Sequence, residues 1–358
     1  MHIEGVNKGI PIAARRVFRL SLTVALSLAG AYALGGTLPY LAPIFALLFT
    51  LGPSPPMGIK SLFGLVLLVS LTMTIGLLLI PLLINYPATG LMIVSLGLFM
   101  SNTLSLNKGK GAVGFFLTFG LTLITAQGVA NFEAALKLSE ALVTSIGFAV
   151  LCQRIVYPLF PEDAPLASEA VKEAPESAQF TWIAMRATLI VLPAYLMALI
   201  NPAMYLPIVM KSVSLGQQGS VIDVDNAGTE LLWSTFVGGF FAIIFWFTLK
   251  LEPNLWMFFL WMLLFGLYFS SKVYRLVTTR FAPSFWINVF ITMLILVGPA
   301  VADSASGKDV YKAFAVRMIL FVAVTLYAWA AIFVLECIRT RRINRVVLSM
   351  PAKEEPSC

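Results

Sequence analysis

Residues 60–84 read KSLFGLVLLVSLTMTIGLLLIPLLI, and this stretch decides the fold class. After Lys60 it carries no charged residue, and most of its side chains are apolar. An α-helix of about 20 apolar residues spans the hydrocarbon core of a bilayer. A strand of a membrane barrel would instead alternate apolar and polar residues over about ten positions. The stretch therefore predicts a membrane-spanning α-helix.

Similar apolar stretches recur along the whole chain. Of its 358 residues, 59% are hydrophobic and only 11% are charged, whereas soluble proteins carry about 25% charged residues. The apolar segments that we predict as helices are 15–35, 38–52, 60–84, 87–104, 111–129, 135–157, 180–200, 203–216, 227–249, 253–271, 283–300 and 311–338. The sequence thus predicts an all-α integral membrane protein with about 12 transmembrane helices.

The segment 158–179 divides the predicted helices into two groups of six. It reads PLFPEDAPLASEAVKEAPESAQ and is rich in Pro, Ala and Glu, which is typical of a linker. We therefore predict an N-terminal six-helix repeat (1–157), a cytoplasmic linker (158–179), a C-terminal six-helix repeat (180–338) and a basic cytoplasmic tail (339–358).

The distribution of Lys and Arg predicts the orientation, because loops on the cytoplasmic side carry an excess of these residues. The ends and loops on the side of the N-terminus contain Lys8, Arg15, Arg16, Arg19, Lys60, Lys108, Lys110, Arg154, Lys172, Lys272, Arg275, Arg280, Arg339, Arg341, Arg342, Arg345 and Lys353. The other side contains Lys137, Lys250, Lys308 and Lys312. Both termini are therefore predicted to be cytoplasmic. The net charge of +7 reflects these loops and does not indicate nucleic-acid binding.

The two predicted halves show weak internal similarity in the same order. The motif that runs from Tyr40 to Pro43 resembles the motif from Tyr205 to Pro207, and Cys152-Gln-Arg resembles Cys337-Ile-Arg. With six helices in each half, both halves have the same orientation. We therefore predict parallel repeats related by an axis along the membrane normal, as in one class of transporters.

The second segment of each half is short and contains proline. These segments are TLPYLAPIFALLFTLG (37–52) and NPAMYLPIVMKSVSLG (201–216). Short, proline-interrupted segments at corresponding positions indicate a transport site, although a simple helix kink has the same signature. We expect Tyr40, Pro43, Tyr205 and Pro207 to contribute to substrate binding.

Two basic residues lie inside predicted helices and are candidates for binding an anion. Lys211 lies about eight residues into the eighth segment, and Arg317 lies in the last segment. An ionisable side chain within the bilayer is costly and usually faces a cavity or a partner. The alternative for Lys211 is that its long side chain reaches the membrane surface.

Acidic residues near Lys211 are candidates for proton coupling. Asp223, Asp225 and Glu230 follow the eighth segment, and Glu140 lies in the sixth. Carboxylates near a lysine can exchange protons in transporters. A solvated acidic loop, or an interfacial position for Glu140, would explain the same residues.

Several motifs of enzymes and metal sites are missing from the sequence. It contains no GxxxxGK[ST], no GxGxxG and no HExxH, and its only histidine is His2. The three cysteines have no metal-binding spacing. We expect neither a cofactor nor a metal ion, and we do not expect an enzyme. An enzyme acting on lipids would need clustered His, Asp or Cys residues at one membrane face.

The pattern resembles the fusaric acid resistance and aromatic acid exporter superfamily. The resemblance rests on two six-helix halves, a basic segment before the first helix, and a Pro-containing second helix that ends in Leu-Gly (51–52). It is closer to compact bacterial members, because the large cytoplasmic domains of many relatives are missing. It implies an inner-membrane efflux component for aromatic or other organic acids. The implied partners are a periplasmic membrane-fusion adaptor and an outer-membrane channel.

The function expected from these features is proton-driven efflux of amphipathic organic anions. The competing hypothesis is an anion channel built from similar six-helix blocks. Membrane lipids and a small organic anion are the expected partners in either case, and self-association into a homo-oligomer stays open.

Overall fold

The structure, a computed structural model, describes residues 10–52, 56–106, 111–162, 177–218 and 224–349. Within these ranges every regular element is helical. The longer helices, numbered along the chain, are α1 (Ile12–Ala33), α2 (Leu41–Thr50), α3 (Ile59–Asn85), α4 (Pro87–Leu106), α5 (Gly111–Ala130), α6 (Phe132–Val156), α7 (Ser177–Ile200), α8 (Pro202–Gln218), α9 (Val224–Leu251), α10 (Leu255–Val273), α11 (Pro283–Ala305) and α12 (Val310–Ser349).

Nine of the helices in the described ranges are long and apolar enough to cross a bilayer. They are α3, α4, α5, α6, α7, α9, α10, α11 and α12. Of the remaining three, α2 is apolar but has only ten residues. The protein is therefore an all-helical, multi-pass membrane protein. The predicted total of about 12 spanning helices stays a prediction.

Each predicted apolar segment overlaps one of the twelve helices, and the boundaries differ most at the ends of α11 and α12. Helix α7 begins at Ser177, inside the predicted linker. Helix α12 runs for 40 residues to Ser349, about 60 Å at 1.5 Å per residue and twice the thickness of a hydrocarbon core. No Pro or Gly interrupts the sequence between residues 308 and 350, so the helix continues into the predicted tail.

The prolines of the two short helices occupy different positions. Pro43 lies in the first turn of α2, where a helix tolerates proline because the amide there has no intrahelical acceptor. Pro207 lies six residues into α8, inside the helix. Helix α8 is nevertheless continuous through Pro207, so neither short helix is broken at its proline, and α2 is short because it begins at Leu41.

Helices α5 and α11 form the centre of the molecule. Of their spanning windows, 67% and 78% of the residues are buried, against 22% for α12 and 28% for α4. The outer helices expose large apolar side chains, such as Phe63 and Leu67 on α3 and Met92 on α4. In water such a surface would be unfavourable, whereas in a bilayer it contacts lipid.

Helices from before and after the predicted linker pack against each other at two places. Helix α1 packs on α10, and α4 packs on α7. One polar pair marks each contact. Ser21 donates to Ser270 over 3.2 Å across α1–α10, and Asn102 donates to Thr188 over 3.0 Å across α4–α7.

The third and fifth helices cross closely in the first half. A Cβ atom on Gly76 would lie 2.2 Å from the carbonyl oxygen of Gly120, so only glycine fits there. Gly120 also begins a π-helical turn (Gly120–Ile124) within α5. Such turns are rare and frequently lie at functional sites. The close crossing fixes this turn at the centre of the molecule.

Candidate functional site

The molecule has two opposite faces, which we call the basic face and the opposite face, and each is defined by the helix ends that lie there. The basic face contains the start of α1 with Arg15, Arg16 and Arg19, together with the ends of α6 and α10. These ends meet there, since Gln153 of α6 and Tyr274 after α10 both donate to backbone carbonyls at the end of α2. The opposite face contains the end of α1 and the starts of α2, α8 and α12.

A cavity of about 360 Å³ opens near the opposite face. It is lined by Thr37, Leu38, Tyr40, Leu41, Leu123, Gln127, Ala134, Lys137, Leu138, Leu142, Ala203, Leu206, Pro207, Met210, Pro299 and Arg317. This opposite-face cavity has mostly apolar walls and two basic side chains, Lys137 from α6 and Arg317 from α12. Its composition suits a ligand that has an apolar body and a negative charge.

The guanidinium of Arg317 is only partly satisfied by protein atoms. Its Nη2 atom lies 2.7 Å from an oxygen of Asp303 on α11. Its Nη1 atom is buried and has no hydrogen-bond partner. A buried donor without an acceptor is costly, so a ligand oxygen that reached this nitrogen would be bound favourably.

A second cavity of about 370 Å³ lies toward the basic face. This basic-face cavity is lined by Leu48, Phe49, Asn102, Ser105, Leu106, Gly111, Ala112, Phe115, Phe116, Ile183, Ala184, Ala187 and Gly216. Its walls are apolar apart from Asn102 and Ser105, whose buried hydroxyl has no hydrogen-bond partner. It lies where α2, α4 and α5 of the first half meet α7 and α8 of the second.

The same three helices, α2, α5 and α8, line both cavities. Along α2, Leu41 faces the opposite-face cavity and Leu48 the basic-face cavity, so the residues between them separate the two spaces. Phe45 occupies this position and is fully buried. Its ring lies 6.1 Å from that of Phe116 and 6.4 Å from that of Phe119, between centroids. These three rings form an aromatic cluster next to the π-helical turn, which we call the aromatic seal.

A ladder of polar side chains lies beside this region, between α9 and α11. On its first rung Ser284 donates to Glu230 over 2.8 Å, and on its second Asn288 donates to Ser234 over 2.5 Å. Lys211 of α8 ends the ladder. Its Nζ atom donates to Asn288 and to Thr292, each over 2.7 Å. We call Glu230, Ser234, Ser284, Asn288, Thr292 and Lys211 the polar ladder.

An ionic cluster at the basic face ties α1 to the segment that follows α6. Arg16 donates to Glu162 through Nε over 2.7 Å, and Arg19 forms an ion pair with Glu162 over 2.9 Å. Arg15 donates to the carbonyl of Pro161 over 3.0 Å. Burial alone would raise the pKa of Glu162, but the hydrogen bonds from Arg16 and Arg19 outweigh it and lower the pKa below its ordinary value.

This cluster predicts an acid-sensitive contribution to stability. A carboxylate with a lowered pKa in the folded state stabilises the fold above its ordinary pKa, and this stabilisation is lost as the pH falls through the lowered pKa. Glu162→Gln should therefore lower the free energy of unfolding by about 1–2 kcal/mol at neutral pH, and the difference should vanish in acid. Thermal unfolding over a pH series measures it. An equal loss at every pH would contradict the assignment.

Three of the residues proposed for substrate binding, Tyr40, Pro207 and Arg317, line the opposite-face cavity. Pro43 is buried in α2, and Tyr205 packs against the core. Neither lines a cavity described above. Lys211 is fully buried and also lines neither cavity.

The acidic residues proposed for proton coupling are dispersed. Glu230 lies in the polar ladder. Glu140 is exposed on α6, a helix that contributes no residue to the ladder. Asp223 lies outside the described residues, as does the side chain of Asp225. A cluster of these carboxylates with Lys211 therefore stays a prediction.

Several site residues were not anticipated from the sequence. Lys137, Gln127 and Asp303 reach the opposite-face cavity or its arginine only through the packing of distant helices. The ladder residues of α11 did carry a signal, since Ser284, Asn288 and Thr292 recur every four residues in an apolar segment. That spacing places polar groups on one face of a helix.

Comparison with known proteins gives one family match. Residues 16–156 match the model of a family described as a protein of unknown function (DUF2955). The match begins within α1 and ends at the last residue of α6. Neither the curated proteins nor the solved structures yield a match.

Proposed function

We propose that the chain is a secondary transporter that exports amphipathic organic anions, aromatic acids among them, across the bacterial inner membrane. The observation that carries this proposal is the pair of cavities, one toward each face, that share α2, α5 and α8. A carrier needs a substrate path between its two repeats that is closed somewhere between the two sides of the membrane. The aromatic seal around Phe45 would close the path at that point.

The substrate class follows from the chemistry of the opposite-face cavity. Arg317 and Lys137 would attract a carboxylate, and Nη1 of Arg317 is a buried donor without an acceptor. Tyr40, Leu41 and the other apolar walls would hold the hydrophobic body of the molecule. The resemblance to aromatic acid exporters implies the same class.

The proposal includes two parallel six-helix repeats related by an axis along the membrane normal. It is supported by the reciprocal contacts of α1 with α10 and of α7 with α4. Ser21 and Thr188, which mark these contacts, each lie two residues after one of the corresponding arginines, Arg19 and Arg186. The family match over residues 16–156 supports the first repeat as a unit.

The orientation and partners are part of the same proposal. With the basic face in the cytoplasm, α1 starts inside and the opposite-face cavity opens to the periplasm, in keeping with the positive-inside rule. An exporter in this position would deliver its substrate to a periplasmic adaptor and an outer-membrane channel, and the proton gradient would drive it.

The test is transport by the purified full-length chain in liposomes, with labelled p-hydroxybenzoate as the probe. We expect the efflux of labelled probe to be saturable. Unlabelled probe on the other side of the membrane should accelerate it, because a carrier reorients faster with substrate bound than without it. Protein-free liposomes measure passive leakage. A channel would show current in planar bilayers and no acceleration by exchange, and this outcome would favour the anion-channel alternative. Absence of any flux would overturn both functions for this probe class.

A further inference from the structure

We propose that Lys211 is a proton-binding site that exchanges protons with the basic face along the polar ladder, rather than a group that binds substrate. Lys211 is fully buried and lines neither cavity, so a substrate in either space does not touch it. Its hydrogen bonds are instead with two side chains of the ladder, Asn288 and Thr292. The site itself stands without the proposed function, whereas its role in coupling rests on that function.

The ladder leads from the basic face toward the interior. Glu230 and Ser284 form the rung nearest that face, and Ser234 and Asn288 form the next. On each helix the two rungs are four residues apart, which corresponds to about 6 Å of helix rise. Glu230 is half-buried, whereas Ser234 and Asn288 are each 1% exposed. Polar groups thus lie at intervals of one helix turn between a carboxyl near the surface and a lysine in the interior.

The hydrogen-bond directions at Lys211 are fixed by its neighbours. Thr292 donates its hydroxyl hydrogen to the carbonyl of Asn288 over 2.6 Å, so it accepts from Nζ. Asn288 uses its amide group to donate to Ser234, so its oxygen faces Nζ. Nζ therefore meets two acceptors. A neutral amine has two hydrogens to donate, whereas an ammonium has a third that meets no acceptor among the described residues.

No carboxylate in the described part of the chain pairs with Lys211. The helices packed against α8 are α5, α7, α11 and α12, and α5 carries no titratable side chain. On the other three, the titratable groups with described side chains are Arg186, Tyr195, Asp303, Tyr311, Lys312, Arg317, Tyr327 and Cys337. None of these forms a hydrogen bond or ion pair with Lys211. The nearest acid along the ladder is Glu230.

Proton binding at Lys211 would bias the position of α8. The amine takes one proton from the aqueous phase at the basic face and forms a third N–H bond, and it releases the proton when that bond breaks. The ammonium would be buried without a counter-charge, which is costly, so its formation favours an arrangement in which α8 moves against α11. Because α8 lines both cavities, this movement would couple the proton to the transport path.

The first test measures ionisation of Lys211 without any substrate. We compare the thermal unfolding of the full-length protein with that of Lys211→Met between about pH 5 and pH 9. If Lys211 changes charge within this range, the difference in Tm between the two proteins changes with pH by at least about 2 °C. Lys250→Met, which removes an exposed lysine on α9, should give a constant difference. A constant difference for Lys211→Met, or for Lys211→Gln if the first variant does not fold, would overturn the proposal.

The second test measures coupling. Lys211→Met should retain the exchange of p-hydroxybenzoate. A pH gradient accelerates net efflux in the wild type, and in Lys211→Met this acceleration should be at least about tenfold smaller. Glu230→Gln should also reduce the acceleration. Loss of exchange together with coupling would assign Lys211 to substrate binding and overturn the inference. A wild-type protein without transport would refute the proposed function alone, because the Tm comparison would still decide whether Lys211 binds a proton.

Discussion

Replacing Arg317 with glutamine should weaken the binding of aromatic carboxylates about 10- to 100-fold. Arg317 lines the opposite-face cavity, and its buried Nη1 atom has no acceptor in the protein. A hydrogen bond to a charged group contributes about 1.5–3 kcal/mol, which corresponds to this range of affinity. The half-saturating concentration of p-hydroxybenzoate in liposome exchange measures the change.

The ion pair with Asp303 complicates this variant, because Arg317→Gln leaves a buried carboxylate without its partner. Removing one partner of a buried pair destabilises a protein more than removing both. The double variant Arg317→Gln/Asp303→Asn should therefore fold better and still bind the probe weakly. Lys308→Gln is the matched control, since Lys308 is 71% exposed and 3.9 Å from Asp303. Normal affinity in the double variant would remove Arg317 from the site.

Replacing Phe45 with alanine should open the aromatic seal and cause a leak. Phe45 is fully buried between the two cavities, against Phe116 and Phe119. Truncation of a buried phenylalanine leaves a void and costs about 3–5 kcal/mol. A void at this position would join the cavities, so efflux of the probe should lose saturation and its acceleration by exchange. Efflux from loaded liposomes measures both properties.

A matched variant separates the leak from general destabilisation. Phe269 of α10 is also fully buried in an aromatic cluster, with Phe265 and Phe290, but it lines neither cavity. Phe269→Ala should lower the Tm by a similar amount and leave transport saturable. If both variants leak equally, or if neither does, the seal is not at Phe45.

The site was predictable from the sequence only in part. Pro207 and Arg317 were identified because proline and charge are unusual inside apolar helices, and Tyr40 because it belongs to a short proline-containing segment. All three line one cavity. Lys211 was identified for the same reason, but its expected role as an anion ligand depended on the direction of its side chain. The sequence does not encode that direction locally, since it follows from the packing of α8 against α11.

The partners of these residues were beyond prediction for a related reason. Lys137 and Asp303 lie toward the ends of apolar segments in the sequence, where charged residues are ordinary. Only the packing of α6, α11 and α12 around one space brings them to Tyr40 or Arg317. The aromatic seal is a similar case, because Phe45 resembles the many other phenylalanines of the chain until its position between two cavities is known.

The apolar stretch at 60–84 and its counterparts determined by themselves that the chain is an all-helical, multi-pass membrane protein. The physical reason is that a backbone in lipid must satisfy its own hydrogen bonds, so a long apolar segment forms an α-helix. The tertiary structure alone decided which polar side chains meet, because contacts such as Arg317 with Asp303 or Lys211 with Asn288 join residues of different helices. Those contacts depend on helix packing, which lipid exposure and hydropathy do not specify.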